Sequence, residues 1–333
     1  MLGDLENLLF SRTRFTLGVT RPVALSIFTG STLRGAFGTT LRKVICAQRH
    51  LGSCRGCYLK DSCAYSVVFA PRNPPSSQYF PGNARLPTSF IFHIEEDKSY
   101  FHAGDELNLM LTLIGKATEY FPYFFIVLQE LGRQGFGLKN EEGERGGFEI
   151  KRITDEFAPE LKTIYSGVPN AAMPPLHREK LENLLRPAAD TSLLKVNFIT
   201  PLRVKWRGHL CSDIQFHILF RNALRRLSAL YFISENRPLE LDYPSLIKKA
   251  EKVEMSKSRF DWNEYSRYSS RQKERLKMGG VTGWAIYRGE LSPFCSFLQA
   301  AELASVGKGT TFGFGRIALE IMEKGGEEEC EST

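Results

Sequence analysis

The chain has 333 residues, 42% hydrophobic and 24% charged, enough to bury the cores of more than one globular domain. No apolar run reaches the length of a membrane helix, and the start around Asp4 and Glu6 is unlike a signal peptide, so a cytoplasmic protein with no membrane association is expected. The formal charge of +7 is unevenly spread: between Lys195 and Glu290 stand 19 Lys and Arg against 10 Asp and Glu, a balance that suits a polyanionic partner.

Positions 8–20 alternate, with Phe15, Leu17 and Val19 on the apolar side, and predict a first strand. Ser31 is placed to cap a helix whose stripe is Leu33, Phe37, Leu41, Val44 and Ile45. A proline-rich connector at 71–81 leads to expected strands at 86–94 and 106–114. An aromatic helix at 123–131 follows, stopped by Gly132, then the turn Gly135-Phe136-Gly137 and a strand at 147–153. Strand, helix, strand, strand, helix, strand is the ferredoxin-like order. Residues 155–191 read as a linker with a short helix near 178–185.

The second half repeats the plan. A strand is expected at 194–207, with Arg203, Lys205 and Arg207 on one face. Ser212 and Gln215 have capping-box spacing before a helix with Arg221, Arg225 and Arg226 outward. Two long strands, 253–268 and 281–291, flank the basic stretch 271–277. Ser292-Pro293 opens a last helix, followed by a glycine loop and a strand at 316–322. The expected fold class is α+β, two tandem ferredoxin-like βαββαβ domains at 1–154 and 192–322, with an acidic tail at 323–333.

Cys46, Cys54, Cys57 and Cys63 are spaced C-x7-C-x2-C-x5-C, an insertion at 46–65 of the first domain. Four thiolates suit a structural zinc, an iron–sulfur cluster is the alternative, and unligated or redox-active thiols are the third reading.

The loop from Gly307 to Arg316 holds Gly307, Lys308, Gly309, Gly313, Gly315 and Arg316. Glycines admit positive φ and close backbone approach, and amides beside two cations suit a phosphate. A nucleotide-binding P-loop is excluded: Lys308 precedes Gly309 instead of Ser or Thr, and a helix comes before the loop instead of after it. Arg267, Tyr268, Arg271 and Lys273 mix stacking rings with cations, as single-stranded RNA sites do.

Three stretches resemble the CRISPR-associated RAMP endoribonucleases that cut precursor CRISPR RNA within its repeats: 262–272 with 278–283, the loop 306–317, and Leu33-Arg34-Gly35-Ala36-Phe37-Gly38 with the cysteine segment. The resemblance covers nearly the whole chain. It implies metal-independent cleavage without a catalytic cofactor, leaving a 2′,3′-cyclic phosphate and a 5′-hydroxyl. It also implies repeat RNA as substrate, CRISPR effector subunits as further partners, and a monomer or homodimer. Relatives carry His-Val-Gly-Lys at the loop entrance and a histidine at or just past the first helix. Here Ser305 precedes Val306-Gly307-Lys308, and His50 is the histidine next to the first helix. His50 is therefore the expected acid/base group, with Lys308 and Arg34 as cations for the scissile phosphate. The other reading of the same fold is a non-catalytic RNA-binding subunit of a CRISPR effector.

Overall fold

The computed structural model describes residues 2–26, 29–49, 51, 54–59, 62–71, 86–96, 98–158, 160, 162–168, 175–188, 190–269 and 274–322 (55, 266–269 and 274–277 by backbone only). Two compact units divide the chain: 8–180 with 230–238, and 1–7 with 181–229 and 239–333.

In the first unit β1 (Leu9–Arg21), α1 (Thr29–Ile45), β2 (Phe90–Ile94), β3 (Glu106–Ile114), α2 (Phe121–Gln134) and β4 (Arg145–Asp155) follow in chain order. The antiparallel sheet runs β2-β3-β1-β4, the ferredoxin-like order. Phe15 lies between Leu109 and Ile153, so the apolar alternation of β1 becomes the buried face of the sheet. Phe37 on α1 is fully buried, with ring centroids 4.9 Å from Phe124 and 5.0 Å from Phe92. That one side chain ties the helical layer to the sheet. Its burial contributes about 2–3 kcal/mol.

The second unit carries β5 (Leu193–Leu202), α3 (Phe216–Glu235), α4 (Tyr243–Ala250), β6 (Glu254–Asn263), β7 (Gly280–Arg288), α5 (Ser292–Ala304) and β8 (Ile317–Ile321). The last turns of α3 cluster with the first unit. Its sheet order is β6-β7-β5-β8, the same topology again. Phe216 and Phe220 on α3 meet Phe294 on α5 at 5.1 and 4.8 Å, and the buried Tyr287 hydroxyl donates to the Ile214 carbonyl at 2.5 Å.

Several boundaries differ from the sequence reading. The first helix begins at Thr29, so Ser31 lies inside it, buried, and is not its cap. The capping box does not form: α3 starts at Phe216, the Gln215 amide donates to Asp213, and the amides of Ile218 and Leu219 donate to the Gln215 carbonyl. The stretch read as a linker adds strands to the first sheet, 162–165 on β4 and 179–180 on β1. Helix α4 was not expected; the Asp242 carboxylate caps it by accepting from the Ser245 amide at 3.1 Å. The two long strands end early, at Asn263 and Arg288, and between β6 and β7 a separate hairpin pairs 266–269 with 274–277.

Candidate nucleic-acid interface

β5 ends at Leu202, and a register shift against β7 precedes that end. The last residues of the strand hold the glycine loop. The Gly315 amide donates to the Pro201 carbonyl at 3.1 Å, and the Lys308 amide to the Arg203 carbonyl at 2.9 Å. The Thr200 hydroxyl donates to the Gly313 carbonyl at 2.7 Å and accepts from the Arg316 amide at 2.9 Å. The Val306 amide closes the loop on the Gly315 carbonyl at 2.8 Å.

Gly307 and Gly315 are irreplaceable for distinct contacts. Both have positive φ, and a Cβ would strike the Arg203 carbonyl at position 307 and the Val306 carbonyl at position 315. The amides of Lys308, Phe312, Gly313, Phe314, Gly315 and Arg316 thus bind the protein, so a phosphate cradle of glycine N–H groups would not include those of Gly313 and Gly315. What the loop presents outward is the Lys308 side chain.

Lys308 is exposed at its tip, yet partial loss of water, then Lys205, Arg203 and Arg225, hold its amine below the usual lysine range. One lysine from the loop, two residues following β5 and one from α3 therefore share a single positive field. Such a field costs energy by itself and is relieved by a polyanion. Arg203 Nη1 also donates to the Gly279 carbonyl at 2.7 Å, which anchors it, while Arg225 is exposed.

The basic strand face expected at 203–207 does not exist as such. Lys205–Trp206 pairs with His209–Leu210 across Arg207-Gly208, whose φ values of 49 and 87 fold the chain back. Arg207 is at the tip of a hairpin. Arg226, expected outward on α3, is only 6% exposed: its Nε donates to the Ala304 carbonyl at 2.7 Å, and Nη2 is buried without a hydrogen-bond partner. Burial pushes its guanidinium down to about 9, which leaves it protonated at neutral pH. A buried cation on the last carbonyl of α5 complements the helix dipole immediately before the loop begins. Sequence periodicity missed it because Arg221, Arg225 and Arg226 differ in neighbours, not in residue type.

Other expected residues fall elsewhere. Arg34 on α1 stacks on Phe69 at 4.3 Å. His50, Arg271 and Lys273 lie outside the described residues, and Arg267 and Tyr268 are placed by backbone alone, in the strand 266–269. Arg316 is exposed but already engaged within the protein. Ser305, where relatives were expected to hold histidine, is buried at φ 58 between α5 and the loop.

For the cysteines, Cys46, Cys57 and Cys63 line a cavity of about 210 Å³ with Ile45, Leu59 and Tyr123, and Cys54 is not on its wall. All four are free, and among the described residues no three His, Cys, Asp or Glu side chains are arranged to hold a metal ion. The spacing alone suggested a closed four-thiolate set.

Two ferredoxin-like units, the second with a lysine-bearing glycine loop between its last helix and last strand, define a protein of tandem ferredoxin-like fold. Residues 196–317 match the family described as CRISPR-associated endoribonuclease Cas6, and residues 8–176, half of the chain, match a family described as an N-terminal domain. The Cas6 match falls on the second unit's sheet, helices and glycine loop, a little over a third of the chain. It is 25% identical over 295 residues to an uncharacterized protein of Archaeoglobus fulgidus, covering 86% of this chain and 90% of that one. Its fold is similar to a Cas6 product complex, with TM-score 0.56 and 15% identity over 93% of this chain and 100% of the other. It is also similar to Thermus thermophilus Cas6, with TM-score 0.51 and 14% identity over 94% and 99%. Among the described residues no helix is long and apolar enough to cross a membrane.

Proposed function

We propose that the protein cleaves CRISPR repeat RNA without a metal ion, leaving a 2′,3′-cyclic phosphate and a 5′-hydroxyl. The observation that carries this reading is the four-cation field around Lys308, mounted on a loop whose backbone is bound to the end of β5. A rigid mount matters, because a cation contributes to catalysis only if it is already in place when charge develops. In the reaction the RNA 2′-oxygen attacks the adjacent phosphorus, the P–O5′ bond breaks, and one proton leaves the 2′-hydroxyl while one reaches the departing 5′-oxygen. Lys308 supplies positive charge to the phosphorane oxygens, Arg34 is a second candidate cation, and His50 is the proton-transfer candidate. Arg203, Lys205, Arg207 and Arg225 hold the RNA backbone, and subunits of a CRISPR effector are the expected protein partners.

The test is incubation of purified protein with repeat RNA in EDTA, with product ends mapped chemically. Specific cleavage to a cyclic phosphate is the expected result, and His50→Ala is expected to abolish it while sparing binding. Undiminished cleavage by that variant would remove His50 from the chemistry. One observation favours a second reading, a non-cleaving RNA-binding subunit: Ser305 is buried and carries no group that titrates near neutrality. Tight binding with intact RNA would establish that reading instead.

A further inference from the structure

The hairpin after β5 holds Arg207, one of the proposed RNA-backbone cations, in an arrangement that its charge alone does not require. Trp206 pairs with His209 across the Arg207-Gly208 turn, and the Cys211 amide closes the hairpin on the Val204 carbonyl at 3.2 Å. Both turn residues are left-handed, a geometry that favours Asn-Gly, yet the first position is an exposed arginine. Its guanidinium carbon stands 5.6 Å over the Trp206 ring. The indole is itself held in place: Arg221 lies 4.9 Å over it, and His217 meets it edge-on at 5.3 Å. Arg221 is committed to Glu251 at 2.7 Å, whereas no carboxylate pairs with Arg207 among the described residues. Lys205, beside Trp206, belongs to the positive field of Lys308.

We propose that Arg207 is a fixed guanidinium fork for one phosphate of the bound RNA, with Trp206 as its positioning residue. This rests on the reading of the glycine-loop region as an RNA-backbone site. A guanidinium offers two parallel N–H donors to a phosphate, and stacking on an indole restricts its rotamers before the ligand arrives. A lysine in the same place keeps the charge and loses both properties.

The experiment is equilibrium binding of full-length protein to repeat RNA over a salt series, for wild type, Lys308→Ala, Arg207→Ala, Arg207→Lys and Trp206→Leu. Arg207→Ala is expected to weaken binding about tenfold and to lower the salt slope by roughly 0.7–0.9. Arg207→Lys is expected to lose nearly as much affinity with the wild-type slope, and so is Trp206→Leu, because neither changes the charge count. Position 207 is an exposed turn, so the Arg207→Lys result does not depend on Trp206→Leu folding. Wild-type affinity in Arg207→Lys would overturn the fork, leaving charge alone. Loss of affinity in Lys308→Ala with none in Arg207→Ala would also overturn it while sparing the RNA-site reading. A wild type that does not bind the RNA would overturn both.

Discussion

Replacing Gly315 by alanine tests whether the glycine loop is held as tightly as its hydrogen bonds imply. At φ 72 an L-residue costs about 1–2 kcal/mol. The new Cβ would also collide with the Val306 carbonyl, which is backbone and cannot rotate away. Relief requires opening the loop, and two hydrogen bonds then weaken: Val306 N–H to the Gly315 carbonyl at 2.8 Å, and Gly315 N–H to the Pro201 carbonyl at 3.1 Å. At about 1 kcal/mol each, with the conformational cost, the total is roughly 3–4 kcal/mol. For a unit of this size that lowers the melting temperature by about 10 °C. Calorimetry reads this directly, with Gly35→Ala as control: no atom lies within 4 Å of a Cβ there, and an alanine inside α1 is expected to be neutral or stabilising. A Gly315→Ala protein melting within 2 °C of wild type, on the order of 0.5 kcal/mol, would refute the account of the loop.

Three further outcomes are expected. RNA affinity should fall as pH rises, starting below the range in which an ordinary lysine discharges, because Lys308 is held low by lost hydration and by Lys205, Arg203 and Arg225; a titration with Lys308→Arg, which stays charged, should flatten the profile, and an unflattened profile would remove Lys308 from the contact. Arg226→Ala should cost about 3 kcal/mol in chemical denaturation, since it leaves a cavity and an unpaired carbonyl at Ala304; a loss under 1 kcal/mol would mean that the buried guanidinium contributes little net stability. Native maleimide labelling should modify Cys46, Cys54, Cys57 and Cys63, which are half-buried and free, and spare the buried Cys295. Protection of the four together with one metal per chain in elemental analysis would establish the zinc or iron–sulfur reading.

The element order was legible in the sequence because each strand and helix carries its own period: the alternation around Phe15 became β1, and the stripe through Leu33, Phe37 and Leu41 became the buried face of α1. The glycine loop was legible as a connection from the last helix to the last strand, and that order set it apart from a P-loop. Its inner workings were not, because the carbonyls that hold it belong to Pro201 and Arg203, more than a hundred residues away.

Charge and spacing, then, are properties of the chain, whereas the fate of each charge depends on what folds against it. Arg225 and Arg226 are adjacent in the sequence; one is exposed, and the other is sealed beneath the end of α5 because the Ala304 carbonyl arrives there from 78 residues on. Arg207 read as one of three alternating cations, and two successive left-handed residues turned it onto the tip of a hairpin over Trp206. Four cysteines read as one set from their spacing, whereas only the fold shows that Cys46, Cys57 and Cys63 line a common cavity. Local periodicity determined the architecture; the tertiary structure alone decided which cations stay exposed and which hold the fold, since burial and pairing are set by neighbours distant in sequence.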